Sequence, residues 1–188
     1  MYKFVIWLLS AALLGGCTSV LHNVTDNPVG TDDISTGVGA DITDNQLDMF
    51  IGVNIKKADP QLARSHINVN VYSSVVLITG EVSNKRLKTL AGDTARAFQG
   101  VRAVHNQLNI RSNSTWLARS ADTVLTAKVK AKLVLDEEIS AGDINVISED
   151  SIVYLMGRVS QATGARTANR ASETSGARNV VKIFDYTD

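Results

Sequence analysis

The chain predicts an α+β protein made of two tandem αββαβ domains, each a three-stranded mixed sheet with two helices on one face. Three observations predict it. The first is an internal repeat: residues 67–83 read INVNVYSSVVLITGEVS and residues 144–160 read INVISEDSIVYLMGRVS. Over 67–84 and 144–161, eight of 18 positions are identical: Ile67/Ile144, Asn68/Asn145, Val69/Val146, Ser74/Ser151, Val76/Val153, Gly80/Gly157, Val82/Val159 and Ser83/Ser160. Chance gives about one. With one-residue gaps, Asp44, Leu47, Ile51 and Ile55 match Asp122, Leu125, Val129 and Leu133, and Gly100, Arg102 and Val104 match Gly176, Arg178 and Val180. The second observation is a change of apolar period inside each copy, from every four residues to every two. The third is a globular composition, 44% hydrophobic but only 5% aromatic, so the cores must be built from Val, Ile, Leu and Ala.

Residues 1–16 carry Lys3 and then an apolar run of 11 residues from Phe4 to Leu14. That run is well short of the ~20 residues a helix needs to cross a bilayer, so it reads as an export signal peptide. Leu14-Gly15-Gly16-Cys17 resembles a bacterial lipobox. The resemblance implies that Cys17, the single cysteine, is lipidated and begins the mature chain. The alternative is an ordinary secretory signal with a chance cysteine. Thr18 stands where an aspartate would retain a sorted lipoprotein at the inner membrane, which implies a lipid-anchored address on the periplasmic face of the outer membrane. Each buried methylene adds about 0.8 kcal/mol of membrane affinity, so three acyl chains would anchor almost permanently. Residues 17–40 hold Asp26, Asp32 and Asp33, no Lys or Arg and no apolar period, and read as a flexible tether.

The two copies occupy residues 41–112 and 113–188. Leu125, Val129 and Leu133 recur every four residues, an amphipathic helix. Ile144 and Val146 alternate with polar residues, a half-buried strand. Ser73-Ser74 and Glu149-Asp150-Ser151 are turn-forming. Val75–Thr79 and Ile152–Met156 are apolar and β-branched on both faces and predict the central strands. Gly80 and Gly157 end those runs where a side chain would be awkward or a bulge is needed. Ser83 and Ser160 then stand at the expected N-caps of second helices. Gly100 and Gly176 stand at the expected C′ positions that close those helices, before the last strands at Val104–Ile110 and Val180–Tyr186.

An Asp-started helix, INV, a β-branched run, Gly-x-Val-Ser, a second helix and a Gly-x-x-x-Val closing strand together resemble the BON domain. Two such domains behind a lipobox resemble outer-membrane lipoproteins of the DolP type. The resemblance implies phospholipid binding and support of outer-membrane integrity rather than catalysis. It implies anionic phospholipids of the outer-membrane inner leaflet as partners, engaged by the first helix of the second domain.

That helix falls in residues 114–135, where Arg119, Lys128, Lys130 and Lys132 face only Asp122, four basic against one acidic residue. Run unbroken from Thr115, it sets Trp116, Val124, Ala127 and Ala131 on the side away from Leu125, Val129 and Leu133. Arg119 and Lys130 border that strip on one edge and Lys128 on the other. An apolar strip between basic edges suits lipid headgroups. A solvated lysine face, or Trp116 packed between the domains, are the alternatives.

Little else points to chemistry. The 19 basic and 19 acidic residues do not mark a nucleic-acid binder. His22, His66 and His105 lack metal-ligand spacing and read as surface or interdomain residues; no cofactor is expected. No Gly-x-Ser-x-Gly elbow suggests a nucleophile. Asp136-Glu137-Glu138 reads as a solvated turn. The competing functional class is a protein-interaction module that contacts outer-membrane protein assembly machinery, because a sheet edge can add a partner strand without any sequence signature.

Overall fold

A computed structural model of the chain describes residues 43–188. Cys17, the signal peptide and the tether lie outside the described residues. In the first domain, Leu47, Ile51 and Ile55 are buried along α1 (Asp44–Ala58). Asp59 then caps α2 (Pro60–Arg64), a short helix with Pro60 at its start that the periodicity does not predict. β1 (Ile67–Tyr72) and β2 (Val75–Val82) form an antiparallel hairpin, and α3 (Lys85–Arg96) crosses back so that β3 (Ala103–Asn106) and β4 (Asn109–Ile110) run parallel to β2. The second domain repeats the order with α4 (Trp116–Val134), β5 (Ile144–Glu149), β6 (Ile152–Val159), α5 (Gln161–Ser172) and β7 (Asn179–Tyr186). Its sheet runs β5-β6-β7, the first pair antiparallel and the second parallel. The expected αββαβ order and mixed sheets are both present, except that the single closing strand expected at 104–110 breaks after Asn106 into β3 and β4, which gives the first sheet four strands.

The repeat is explained by shared turn chemistry. Ser73 and Ser74 have φ of 48° and 64°, and Asp150 and Ser151 have 53° and 60°. Both turns thus join their strands through two left-handed residues, the geometry that matches strand twist. Non-glycine residues resist that conformation, and a carboxylate stabilises it in each domain. Asp44 accepts from the Ser73 and Ser74 N–H groups at 2.6 and 3.0 Å; Asp122 accepts from Asp150 and Ser151 at 2.9 and 2.8 Å. The matched aspartates are therefore hairpin clamps.

Two local expectations need correction. Ser160 accepts from the Thr163 N–H and caps α5, but α3 is capped by Asn84, which accepts from Leu87, and Ser83 lies one residue before the cap. Gly100 and Gly176 are not C′ residues, because the C-caps of α3 and α5 are Ala97 and Glu173, three residues earlier. They sit in the next turn, closed by Val101 N–H to Phe98 O and Ala177 N–H to Thr174 O, with φ of 89° and 105°. A turn of that kind needs positive φ at its third residue.

Each domain buries one sheet face under its helices: Val76, Ile78 and Val82 against α1 and α3, and Val153, Leu155 and Val159 against α4 and α5. The opposite faces meet each other. Leu77, Tyr154, Met156 and Ile183 form one buried cluster, flanked by Tyr72, Val75, Ile147, Ile152 and Val181. The layers run helices, sheet, sheet, helices, which is why β2 and β6 are apolar on both faces.

Candidate functional site

α4 is built differently from its counterpart α1. The clamp Asp44 is the first residue of α1, whereas the clamp Asp122 lies six residues inside α4. The extra stretch, 116–121, brings Trp116, Leu117 and Arg119. Thr115 starts it by accepting from the Ala118 N–H. Leu125, Val129 and Leu133 are buried against the sheet, which fixes the rotation of the helix and turns the other side to solvent.

On that outer side Trp116 is 71% exposed and Val124 53%, with Ala127 and Ala131 also exposed. Trp116 therefore does not pack between the domains. Lys130 is exposed on one border of the strip beside half-buried Arg119, and Lys128 is exposed on the other. None of these three forms an ion pair among the described residues. Lys132 differs. Its Nζ lies 3.1 Å from Glu173 Oε2, so it ties α4 to α5 instead of offering a free charge.

Sequence reasoning missed the two ends of the strip. Leu117, Val134 and Leu135 are all exposed, Leu135 to 83%. The 100° step that places Trp116 and Val124 also places Val134 above Trp116 and Leu135 above Leu117. The signal was present, but Leu135 lies past the last helical residue. Beside Lys128 a hollow of about 410 Å³ is lined by Leu117, Val124, Leu125, Ser151, Ser175 and Gly176.

The C-terminal end of α4 is pinned by charge. Asp136, expected in a solvated turn, is instead buried and accepts from Arg170 Nε and Arg166 Nε on α5. The Arg170 hydrogen bond, aided by Arg166 and the Glu138 N–H and opposed by burial, holds its carboxyl down at about 2. Glu138 pairs with Arg166 at 2.9 Å, and Glu137 is exposed.

The glycines act through backbone space. A Cβ on Gly80 would meet the His66 carbonyl oxygen at 2.0 Å, and one on Gly157 would meet that of Asp143 at 2.5 Å. Of the histidines, His66 lies in the seam between the sheets, 3.5 Å from Glu149, and His105 lines a groove there with Tyr72, Lys182 and Phe184. His22 lies outside the described residues.

The profile of the BON domain matches residues 43–112 and 121–188. Among known proteins, the chain is 32% identical to the outer membrane lipoprotein DolP of Haemophilus influenzae, over 99% of this chain and 96% of that one. It is 26% identical to a 21 kDa hemolysin of Actinobacillus pleuropneumoniae, over 79% and 76% of the two chains. It is also 26% identical to the osmotically-inducible protein Y of Escherichia coli, over 92% and 91%.

Proposed function

This chain belongs to the BON domain family, and from that premise we propose that it is an outer-membrane-anchored periplasmic lipoprotein whose second domain binds anionic phospholipids and so supports outer-membrane integrity. Its role is binding rather than catalysis. The observation that carries this reading is the outer side of α4, an exposed apolar strip from Trp116 to Leu135 between three cations that have no ion-pair partner among the described residues. The similarity to an outer-membrane lipoprotein over nearly the whole of both chains supports the address.

The magnitudes fit an auxiliary contact. Each cation near an anionic surface contributes about 1 kcal/mol, so Arg119, Lys128 and Lys130 together supply about 3 kcal/mol. That term is screened by salt. Trp116, Leu117, Val134 and Leu135 add apolar insertion at the headgroup boundary, where indole rings prefer to lie. A lipid on Cys17 would hold the domain close to the bilayer, so a weak patch becomes an effective one.

The test is co-sedimentation of the chain from Thr18 onward with anionic and zwitterionic liposomes across a salt series. Binding should be confined to anionic vesicles and fade at high salt. Replacing Arg119, Lys128 and Lys130 together by Gln should weaken it by about 100-fold, the equivalent of about 3 kcal/mol. K132Q should change it little, because Lys132 is committed to Glu173. No binding at low salt, or equal loss with K132Q alone, would sink the reading. A second reading, docking to outer-membrane assembly proteins, is favoured by the open side of β7, an eight-residue strand at the sheet edge.

A further inference from the structure

The seam between the sheets is apolar at one end and charged at the other. Glu81 of β2 and Glu149 of β5 are both buried there, at 0% and 4% exposure. Glu81 is well served: Arg111 donates to Oε1 at 2.8 Å, and the Ser114 N–H and hydroxyl both donate to Oε2 at 3.2 Å. Glu149 is not. Its Oε2 accepts from the Asn68 amide at 2.9 Å and the Thr79 hydroxyl at 3.5 Å, while its Oε1 faces His66 Nε2 at 3.5 Å.

The Asn68 amide nitrogen, which can only donate, also lies 3.2 Å from His66 Nε2. In the tautomer that accepts from Asn68, Nε2 presents its lone pair to the Glu149 oxygen. The charges show the same deficit. Arg111 pairs with Glu81 and also reaches Asp150 at 3.3 Å, while Glu149 has no lysine or arginine ion-pair partner among the described residues. Apart from the His66 ring, the buried Glu149 carboxylate is met only by the neutral donors Asn68 and Thr79 among the described residues, and a buried charge without a full counter-charge is costly.

We propose that His66, Glu81 and Glu149 form a binding site for a divalent transition-metal ion of the zinc class, which ties the two domains together. One ligand atom from each of the three lies within 4.8 Å of the other two. Two ligands about 2.1 Å from a tetrahedral ion stand about 3.4 Å apart, close to the spacing of Nε2 and Oε1. One imidazole with carboxylate oxygens is a donor set that suits zinc. His66 and Glu81 come from the first domain and Glu149 from the second, so the ion would fix α4 relative to the first domain. A carboxylate oxygen has room for both Arg111 and a metal.

The experiment uses the full-length chain in detergent, stripped with a chelator and titrated with zinc chloride by calorimetry, with magnesium chloride as control. One zinc ion should bind per chain, with a rise in melting temperature, and magnesium should not compete. H66A and E149Q should each weaken binding at least about tenfold, the scale expected when a metal site loses one of its groups. H22A and H105A should leave it unchanged. E149Q keeps an oxygen for Asn68 and Thr79, and the melting transition of each apo variant reports whether it folds. Zinc binding that survives both H66A and E149Q in folded protein overturns the site. So does absence of stoichiometric zinc binding.

Discussion

A Cβ at Gly80 would stand 2.0 Å from the carbonyl oxygen of His66, the residue before β1, on a backbone already at φ 115°. Gly157 shares the close approach, at 2.5 Å, without the positive φ; Gly100 shares the positive φ but has nothing within 4 Å. The three therefore separate two costs that sequence cannot tell apart. G80A should destabilise most, by about 4 kcal/mol, because clash and left-handed strain add. G157A should cost about 2–3 kcal/mol and G100A only about 1 kcal/mol. Urea midpoints of the three variants check the order; G100A as damaging as G80A would refute it. The clamps Asp44 and Asp122 belong to the same scale. Their match in the repeat was visible, but their task was not, because each carboxylate reaches amides about 30 positions away.

At the scale of the element, α4 shows how one helix serves two masters. Its inner stripe obeys the four-residue period and was legible from Leu125, Val129 and Leu133. Its outer strip was legible in part, through Trp116 and Val124. The Lys132–Glu173 pair was not legible, because only the packing of α5 brings Glu173 beside Lys132. The anchor at the far end carries a pH signature. The Asp136 carboxyl is depressed in the folded chain to about 2, against an unfolded value of about 4. Its stabilisation is thus complete above pH 4 and is lost as pH falls from about 4 to about 2. Denaturation of wild type and D136N should therefore differ most at neutral pH and converge as pH approaches 2. A constant gap across that range would remove Asp136 from the account.

For the whole molecule, the decisive feature is that the two sheets bury each other. A BON-sized unit of ~70 residues has a marginal core of its own. The shared cluster around Leu77, Tyr154, Met156 and Ile183 lets each domain lend the other apolar surface. Unfolding should accordingly be one calorimetric transition. L77D places a carboxylate in that cluster and should lower stability by about 3 kcal/mol or split the transition in two. Two resolved transitions in the wild type would show the seam to be too weak to couple the domains.

The sequence by itself determined the local rules: repeat, element order, strand faces, helix stripe and the chemistry of the turns. These rest on periods of two and four and on neighbours a few residues apart, so they are written along the chain. The tertiary structure alone decided which faces meet. That choice brings His66 and Glu81 to Glu149, Glu173 to Lys132 and two arginines to Asp136, and it leaves Trp116 in solvent. Burial and charge pairing depend on distance in space, and residues far apart along the chain become neighbours only when the sheets and helices pack.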